Sequence, residues 1–462
     1  MIKHRKLLVL VAVLLTLHQF VLDAYAYIDP VTGSTLLTLL AGAIAAGAMT
    51  LKFYWFKIKT RFSRGFSKEN QTEIIDKSNL EHGFISEWAE LKKINQLSQD
   101  ERSIMFYAEN SASMNHFRSL IRELTEKMNL QVCYVTSVKN DPIFSSKNQR
   151  ILPFYIGDGT ARTKFFSTLK AKILVMDMPD LGRFHIKRSN EYPVHYVYLF
   201  HSMFSVHSYL RKGAVDNYDT IFCVGSHQVK EIRETEKVYG LKPKKLINYG
   251  YGRLDTLLQK KKNSQLSNSN TKNLIIIAPS YGNDNLLERC GIKLIDILLK
   301  SNFRVMLRPH LITLRDSTKL IDSIKTKFGK NSDFILEEGV IPFDSLNNSA
   351  CMISDWSGIS LEYAFTFERS VIFIDVPKKT LNPNSGDISL EPIEISIRSK
   401  IGHIISPNNL NEIPAIIRDL DKNTQDLVKQ IKEIRAKTVY NIGESAKIGA
   451  EYIRQLYDKP KN

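Results

Sequence analysis

Cysteine is scarce in this chain, and the few cysteines form no recognisable pattern. Only four occur among 462 residues, and they lie far apart, at Cys133, Cys223, Cys290 and Cys351. A zinc cluster or a disulfide framework needs closely and regularly spaced cysteines, so neither is predicted. Three of the four lie in apolar runs typical of strands, which favours buried free thiols and fits a reducing compartment.

The common nucleotide-binding loops are also absent. The chain contains neither a Gly-x-Gly-x-x-Gly fingerprint nor a Walker loop, which excludes the usual dinucleotide and triphosphate sites. Positive charge is abundant instead: 64 lysines and arginines exceed 48 acidic residues, for a net charge of +16. This excess favours an anionic partner, which is a nucleic acid, a phospholipid surface or a phosphorylated small molecule. No basic motif is interleaved with aromatic residues, so nucleic acid is not predicted.

The first sixty residues predict attachment to a membrane. A basic start, an apolar segment and a small-residue cleavage pattern predict a signal peptide or a retained signal anchor over residues 1–26. The uncharged run from Pro30 to Leu51 is long enough to cross a bilayer, so a transmembrane helix is predicted within residues 30–56. Six basic residues and no acidic one follow this run, which predicts a cytoplasmic location for the rest of the chain and contact with anionic lipids.

From about residue 100 onward, short apolar runs rich in β-branched residues alternate with segments of helical period. Such alternation predicts an α/β fold with parallel sheets that are covered on both faces. The pattern occurs in two blocks, which predicts two Rossmann-like domains behind the membrane segment. The predicted division is a basic juxtamembrane linker and helix over 57–98, a first Rossmann-like domain over 99–247, a second over 248–420 and C-terminal helices over 421–462.

Polar residues are crowded after one strand of the second block, in the stretch CMISDWSGISLEYAF. The predicted strand ends at Ser354, the turn contains Asp355, Ser357 and Gly358, and a helix follows. Hydroxyl groups and free backbone N–H groups at a helix N-terminus form a potential anion site. A plain helix cap, in which Asp355 or Ser357 satisfies the first turn, explains the same residues.

Other polar residues follow strands elsewhere in the two predicted sheets. Arg308 and His310 follow a strand of the second block and are suited to phosphate oxygens, while a surface salt bridge is the alternative role for Arg308. His201 follows a strand of the first block, and ligands of parallel sheets bind beyond the carboxyl ends of the strands. An imidazole titrates near neutrality, so His201 is a candidate general base. His195, deeper in the same strand, is interpreted as a hydrogen-bonded core residue.

Five short motifs occur in order between residues 200 and 358. They are Phe200-His201-Ser202, Gly250-Tyr251-Gly252-Arg253-Leu254-Asp255, Ile277-Ala278-Pro279-Ser280, Arg308-Pro309-His310 and Ser354-Asp355-Trp356-Ser357-Gly358. In that order they resemble Trp-His-Gly, Gly-Tyr-Pro-Arg-x-Asp, Tyr-Ala-Pro-Thr, Arg-x-His-Pro and Ser-Asp-Tyr-Ser-Ser of the CDP-glycerol glycerophosphotransferases, which build teichoic-acid-like polymers at the bacterial inner membrane. Among the departures from this pattern, Ser202, Leu311 and Gly358 stand where the family has Gly, Pro and Ser.

The resemblance implies a glycosyltransferase-B fold, in which two Rossmann-like domains face each other and the second holds most of the nucleotide donor. It implies that His201 deprotonates an acceptor hydroxyl, whose oxygen attacks the donor phosphorus and releases CMP. The residues implied to hold the donor phosphates are Arg308, His310, Ser354, Ser357 and Gly358, with His310 also catalytic. Like charges repel, so Asp355 is expected to cap the helix or to orient His310. No metal and no cofactor is expected, because the helix dipole and basic side chains take over that role.

The leading interpretation is a membrane-anchored transferase at the cytoplasmic face of a bacterial inner membrane. It would move glycerol phosphate, or a related alditol phosphate, from a CDP-activated donor to a hydroxyl of a lipid-linked or cell-surface glycan. The expected partners are the nucleotide-activated donor, the glycan acceptor and anionic membrane lipids. Two alternatives remain open: a glycosyltransferase of the same fold that uses a sugar nucleotide, and a non-catalytic inner-membrane protein that binds polyanions.

Overall fold

The computed structural model describes residues 86–183, 186–264, 273–420 and 424–460. The predicted signal segment (1–26) and transmembrane helix (30–56) lie outside these residues, as does most of the predicted linker. In the part of the chain that is described, no helix is both long and apolar enough to cross a membrane.

Seven parallel strands form the first sheet. They are β1 (Ile104–Ala108), β2 (Val132–Thr136), β3 (Ile151–Tyr155), β4 (Ile173–Met176), β5 (His195–Leu199), β6 (Thr220–Cys223) and β7 (Lys245–Asn248). They pair in the order β3-β2-β1-β4-β5-β6-β7. The helices that precede or connect them are α1 (Glu87–Gln96), α2 (Ser113–Arg122), α3 (Thr160–Ser167) and α4 (Ser226–Val238). Residues 104–248 are called the first lobe below.

Six parallel strands form the second sheet. They are β8 (Leu274–Ile277), β9 (Arg304–Leu307), β10 (Phe334–Leu336), β11 (Cys351–Ser354), β12 (Val371–Ile374) and β13 (Gly402–Ile405), paired in the order β10-β9-β8-β11-β12-β13. Residues 274–405 are called the second lobe. The remaining helices are α5 (Gly252–Asn263), α6 (Ile292–Lys300), α7 (Leu311–Asp316), α8 (Thr318–Phe328), α9 (Phe343–Asn348), α10 (Ile359–Phe367), α11 (Ile393–Ser396), α12 (Arg398–Ile401), α13 (Ile413–Asp419), α14 (Thr424–Thr438) and α15 (Ser445–Asp458).

The described structure is therefore α/β with two parallel sheets, as predicted, and both faces of each sheet are buried. In β1, Met105 and Tyr107 pack into one apolar cluster, while Ile104 and Phe106 pack into another on the opposite face. Alternate side chains of a strand point to opposite faces, so a strand buried on both faces reads as a continuous apolar run. In both sheets the strand order reverses beside the first strand of the lobe, where such sheets bind ligands.

The last helix, α15, returns to the first lobe. Its residues Ala450, Ile453 and Leu456 are buried in the same apolar cluster as Phe106. The hydroxyl groups of Tyr452 and Thr220 lie 2.9 Å apart. The chain end thus covers one face of the first sheet and links it to the second lobe, which precedes this helix in sequence.

Candidate active site

A cavity of about 520 Å³ lies at the carboxyl ends of both sheets. The first lobe contributes the start of α2 together with His201 and Ser202, which follow β5. The second lobe contributes residues that follow five of its strands. The second-lobe residues lining the cavity include Ser280, Tyr281, Arg308, His310, Gly339, Ser357, Gly358 and Lys379. The cavity therefore lies where the fold predicts a ligand site.

The ring of His201 is held in one tautomer. Its Nδ1 lies 2.9 Å from the backbone carbonyl oxygen of Asp177. A carbonyl only accepts hydrogen bonds, so Nδ1 carries the proton and Nε2 of the neutral ring keeps its lone pair. His201 lines the cavity. The neutral ring thus has the tautomer that a general base needs to accept a proton from a bound hydroxyl.

The side chain of Asp177 lies beside His201 and was missed by the sequence analysis. It is buried, and its Oδ1 accepts a hydrogen bond of 3.0 Å from the Ser113 hydroxyl. Burial raises the pKa of this carboxyl to about 6, while the attraction of His201 acts in the opposite direction. Above that pH the carboxylate is ionised, and it favours the imidazolium that forms when His201 accepts a proton.

A second histidine, His116 of α2, packs against His201. The two ring centroids are 6.1 Å apart in an edge-to-face arrangement. Burial, together with the nearby His201 and Arg253, lowers the pKa of His116 well below its ordinary value. His116 is therefore an uncharged part of the cavity wall near neutral pH, a role for which the sequence offered no pattern.

Replacing Asp177 with asparagine is expected to stabilise the fold above about pH 6 and to slow turnover. Because the folded pKa is raised, wild-type stability is complete below the ordinary value of 3.8 and is lost as the pH rises through about 6. The wild-type free energy of unfolding therefore falls by roughly 2–3 kcal/mol between these pH values. Asp177→Asn should be more stable than the wild type by about this amount at about pH 8, but not at about pH 4. Urea unfolding at the two pH values measures this difference.

Turnover of the same variant should fall about tenfold, because the His201 imidazolium loses a negative neighbour. Asp141→Asn is the control: this carboxylate is also buried, and it accepts hydrogen bonds of 3.0 Å from the Ile143 N–H and 2.9 Å from the Thr136 hydroxyl. Asp141→Asn should lower the free energy of unfolding without changing turnover. Equal stability of wild type and Asp177→Asn at both pH values would contradict the proposed cause.

Two residues of the predicted anion turn are not available to a ligand. Ser354 is fully buried, and its hydroxyl donates a hydrogen bond of 2.7 Å to the carbonyl of Ala278. It does not line the cavity, because it is still part of β11 and contacts the neighbouring strand. The predicted phosphate contact from Ser354 is therefore not found in the structure.

The predicted roles of Asp355 also need correction. Its carboxylate accepts hydrogen bonds from the Ser280 backbone N–H (2.7 Å), the Ser280 hydroxyl (3.1 Å) and the Leu286 N–H (2.9 Å). Helix α10 has no side-chain cap, and no hydrogen bond joins Asp355 to His310 among the described residues. The carboxylate instead fixes the turn after β8, because these buried donors need an acceptor. Asp355 acts by positioning Ser280 at the cavity wall.

The other two turn residues, Ser357 and Gly358, lie where the anion site was predicted. Both line the cavity immediately before α10. The positive end of a nine-residue helix therefore faces the same space as His201.

Arg308 and His310 line the cavity beside this helix end. The Nε of Arg308 donates to the carbonyl of Gly339 at 3.3 Å, which leaves its two terminal amino groups for a ligand. The predicted alternative, a surface salt bridge, is not found for Arg308 within the described chain. Burial and the nearby Arg253 lower its pKa, but an arginine remains charged. It supplies a forked cation for a phosphate group.

His310 is a hydrogen-bond donor and not a base in this structure. Its Nδ1 accepts from the Ile312 N–H at 3.1 Å, so the proton is on Nε2. Burial, with Arg308 and Lys379 nearby, lowers the pKa of His310 to about 4. The neutral ring can donate to a phosphate oxygen but has no free lone pair. Of the two histidines predicted as catalytic, only His201 has the geometry of a general base.

An aromatic and cationic shelf extends the cavity wall beyond His310. The ring of Tyr281 lies 4.5 Å from that of His310, centroid to centroid, and the Lys379 ammonium lies 3.0 Å above the Tyr281 ring. Burial lowers the pKa of Lys379 to about 8. Neither Tyr281 nor Lys379 was identified from the sequence, because Tyr281 lies just beyond the motif that ends at Ser280 and Lys379 follows an apolar strand without a motif.

Hydrogen bonds connect the base to the helix that carries the anion turn. The Tyr251 hydroxyl lies 3.0 Å from the His201 carbonyl oxygen and 2.9 Å from Glu362 Oε1, and Arg253 Nε donates to Glu362 Oε2 at 2.7 Å. Glu362 belongs to α10. The motif from Gly250 to Asp255 therefore holds the His201 backbone and α10 in a fixed relation.

Comparison with known proteins decides which family this site belongs to. Residues 91–380, well over half of the chain, match the family described as CDP-Glycerol:Poly(glycerophosphate) glycerophosphotransferase. The chain belongs to this family. It is a glycerophosphotransferase-like enzyme, and the residues lining the cavity, from Ser111 to Lys379, all lie within the matched range.

Solved structures share the fold of this glycerophosphotransferase-like chain. A variant of the wall teichoic acid polymerase TagF soaked with CDPG has a TM-score of 0.55 at 12% identity, covering 80% of this chain and 94% of its own. A second TagF variant has a TM-score of 0.54 at 12% identity, covering 81% and 95%. MnaA from S. aureus with UDP has a TM-score of 0.51 at 14% identity, covering 78% and 99%. The search of curated protein sequences found no significant match.

Family membership supports a glycerophosphotransferase with a CDP-glycerol donor. The TagF structures share its fold. Within the described ranges, no group of three or more His, Cys, Asp and Glu side chains is placed to hold a metal ion. The independence from metals and cofactors stays a prediction.

Proposed function

We propose that this glycerophosphotransferase-like chain moves glycerol phosphate, or a related alditol phosphate, from a CDP-activated donor to a hydroxyl of a lipid-linked or cell-surface glycan. It does so at the cytoplasmic face of a bacterial inner membrane, to which its N-terminal segment attaches it. The observation that supports the proposal is one cavity lined by His201 together with Arg308, His310 and the start of α10. The hydrogen bond from His201 Nδ1 to the Asp177 carbonyl leaves the lone pair of Nε2 available there.

The reaction follows from these positions. The acceptor hydroxyl gives its proton to His201 Nε2, and its oxygen forms a bond to the donor phosphorus. The bond from that phosphorus to the bridging oxygen breaks, and CMP leaves with the electron pair. Arg308, the Nε2–H of His310 and the N–H groups of α10 stabilise the charge on the transferred phosphate and on CMP. The Asp177 carboxylate stabilises the His201 imidazolium until the proton is lost to solvent.

A nucleotide-release assay tests the donor. The purified full chain is incubated with a lipid-linked saccharide primer and, separately, with CDP-glycerol, CDP-ribitol or a UDP-sugar. CMP release together with incorporation of labelled glycerol phosphate or ribitol phosphate into the primer is expected. UDP release without CMP would replace the proposal by a sugar transfer, and release of neither nucleotide would favour a non-catalytic polyanion-binding protein.

Fractionation of cells that express the same full chain tests the attachment. The apolar N-terminal run predicts that the CMP-releasing activity sediments with membranes and resists a concentrated salt wash, since salt screens only charge contacts. Activity that salt releases would reduce the attachment to electrostatic contact with lipid, and activity in the soluble fraction would contradict it.

A further inference from the structure

Ser202 and Gly358 are neighbours in the cavity wall, although they belong to different lobes. Ser202 follows His201 in the first lobe, and Gly358 lies directly before α10 in the second lobe. Both line the cavity. A Cβ atom built on Gly358 would lie 3.1 Å from the Ser202 hydroxyl oxygen. The first lobe therefore places a hydroxyl group beside the helix N-terminus of the second lobe, in space that a side chain at position 358 would need.

The hydroxyl of Ser202 is oriented but still has a proton to donate. Its oxygen accepts a hydrogen bond of 3.2 Å from the Phe204 N–H, and the Ser202 carbonyl accepts one of 3.3 Å from the buried Gln228 amide. Within the described chain no acceptor is found for the Ser202 hydroxyl proton. A hydroxyl that already accepts a backbone bond is free to donate to a ligand that enters the cavity.

Backbone conformation does not require glycine at position 358, whereas the space beside it is limited. Gly358 has φ −59° and ψ −24°, which any residue adopts without strain. A Cβ at 3.1 Å from an oxygen would be tight, so the neighbouring hydroxyl would have to shift.

We propose that Ser202 is a donor-phosphate contact that replaces, from the opposite lobe, the hydroxyl that Gly358 lacks. It donates a hydrogen bond to the phosphoryl group under attack, because it adjoins His201 as well as the start of α10. The inference rests on the proposed function, since the ligand is the transferred phosphate of the nucleotide donor. The phosphate site is thus complete only when both lobes contribute, whereas the proposed CMP contacts lie mainly in the second lobe.

A double-mutant cycle with Ser202→Gly, Gly358→Ser and the combined variant tests the pairing. Ser202→Gly should lower kcat for CMP release by about 10- to 100-fold through loss of one preorganised donor. Its affinity for CMP, measured by calorimetry, should stay within about twofold of the wild type, because Ser202 does not contact CMP in this proposal. Gly358→Ser should also lower kcat, because its side chain meets the Ser202 hydroxyl.

The combined variant restores one serine and one glycine in exchanged positions, so its kcat should exceed that of Ser202→Gly by about tenfold or more. A general structural disturbance would instead multiply the two single losses. Ser202→Ala, which keeps the Cβ, separates the hydroxyl from packing, and thermal unfolding confirms that each variant is folded.

The outcomes distinguish this inference from the proposed function. If the wild type releases CMP, two results would overturn the role of Ser202 but not the proposed function. One is an unchanged kcat in Ser202→Gly and Ser202→Ala. The other is a combined variant in which the two single losses multiply. Absence of CMP release by the wild type would overturn both proposals.

Discussion

Replacing His201 with alanine is expected to lower kcat for CMP release by about 10²- to 10⁴-fold, the usual contribution of a general base. The ring is held by the Asp177 carbonyl, so the lone pair on Nε2 is presented continuously to the cavity. Without it the acceptor hydroxyl must lose its proton to water, which is a weaker base. Affinity for CMP should change little, because His201 belongs to the first lobe and the proposed CMP contacts lie mainly in the second. Steady-state CMP release and calorimetric titration with CMP measure the two quantities.

A histidine outside the cavity provides the matched control. His403 lies in β13 at the edge of the second sheet, where its side chain is exposed. His403→Ala should keep wild-type turnover and wild-type unfolding. Retention of wild-type turnover by His201→Ala, with its fold intact, would remove the general base from the proposed mechanism. Circular dichroism shows whether His201→Ala is folded. If it is unfolded, His201→Gln, which keeps a polar side chain of similar length, provides the test instead.

Replacing Arg308 with alanine is expected to lower kcat/KM for the donor by about 10²- to 10³-fold, as for the loss of one charged donor in a preorganised site. The side chain lines the cavity beside His310 and the start of α10. His310 is uncharged near neutral pH, so it does not replace the lost charge. Arg308→Lys should recover only part of the activity, because an ammonium group is a point charge and lacks the two-pronged geometry of a guanidinium.

Arg304 is the matched control for this substitution. It begins the same strand, β9, whereas Arg308 follows its end, and the Arg304 side chain is exposed and 4.0 Å from the Asp333 carboxylate. Arg304→Ala should leave kcat/KM unchanged, because that end of the sheet is remote from the cavity. Similar losses in both variants would mean that net charge matters and not the position of Arg308, and no loss in Arg308→Ala would exclude it from the donor site.

Most of the candidate site was predictable from one rule about parallel sheets. His201, Arg308, His310, Ser357 and Gly358 each follow a strand, and the structure brings all five to one cavity. The rule works because parallel strands end at the same edge, so residues far apart in sequence become neighbours there. It gives no information on hydrogen bonding, which is why Ser354 was assigned to the ligand although its hydroxyl bonds to the Ala278 carbonyl. For the same reason Asp355 was expected to cap α10 or to orient His310, although its carboxylate bonds to the turn after β8.

The missed residues of the site lacked any sequence signal of their own. Asp177 ends the apolar run AKILVMD, so its position at a strand end was predictable. No sequence pattern, however, indicated that it contacts His201. His116 reaches the cavity only because α2 starts at the switch point of the first sheet. Tyr281 and Lys379 acquire their roles by stacking in space.

The same limit applies to the fold. The interior strands were predictable because they are buried on both faces and read as continuous apolar runs, as β4 and β8 do. Three edge strands, β7, β10 and β13, were not predicted. They lie at the borders of the sheets and keep exposed or half-exposed residues, so their sequences resemble loops.

The amino-acid sequence alone determined the α/β class, the two-block organisation and the set of polar strand ends, because these properties depend on local periodicity and on the order of residues along the chain. Only the tertiary structure decided the tautomers of His201 and His310, the buried role of Asp355 and the pairing of Ser202 with Gly358. Those properties depend on which donor or acceptor lies within about 3 Å. The folded chain sets that distance, within one lobe for His201, His310 and Asp355 and between the two lobes for Ser202 and Gly358.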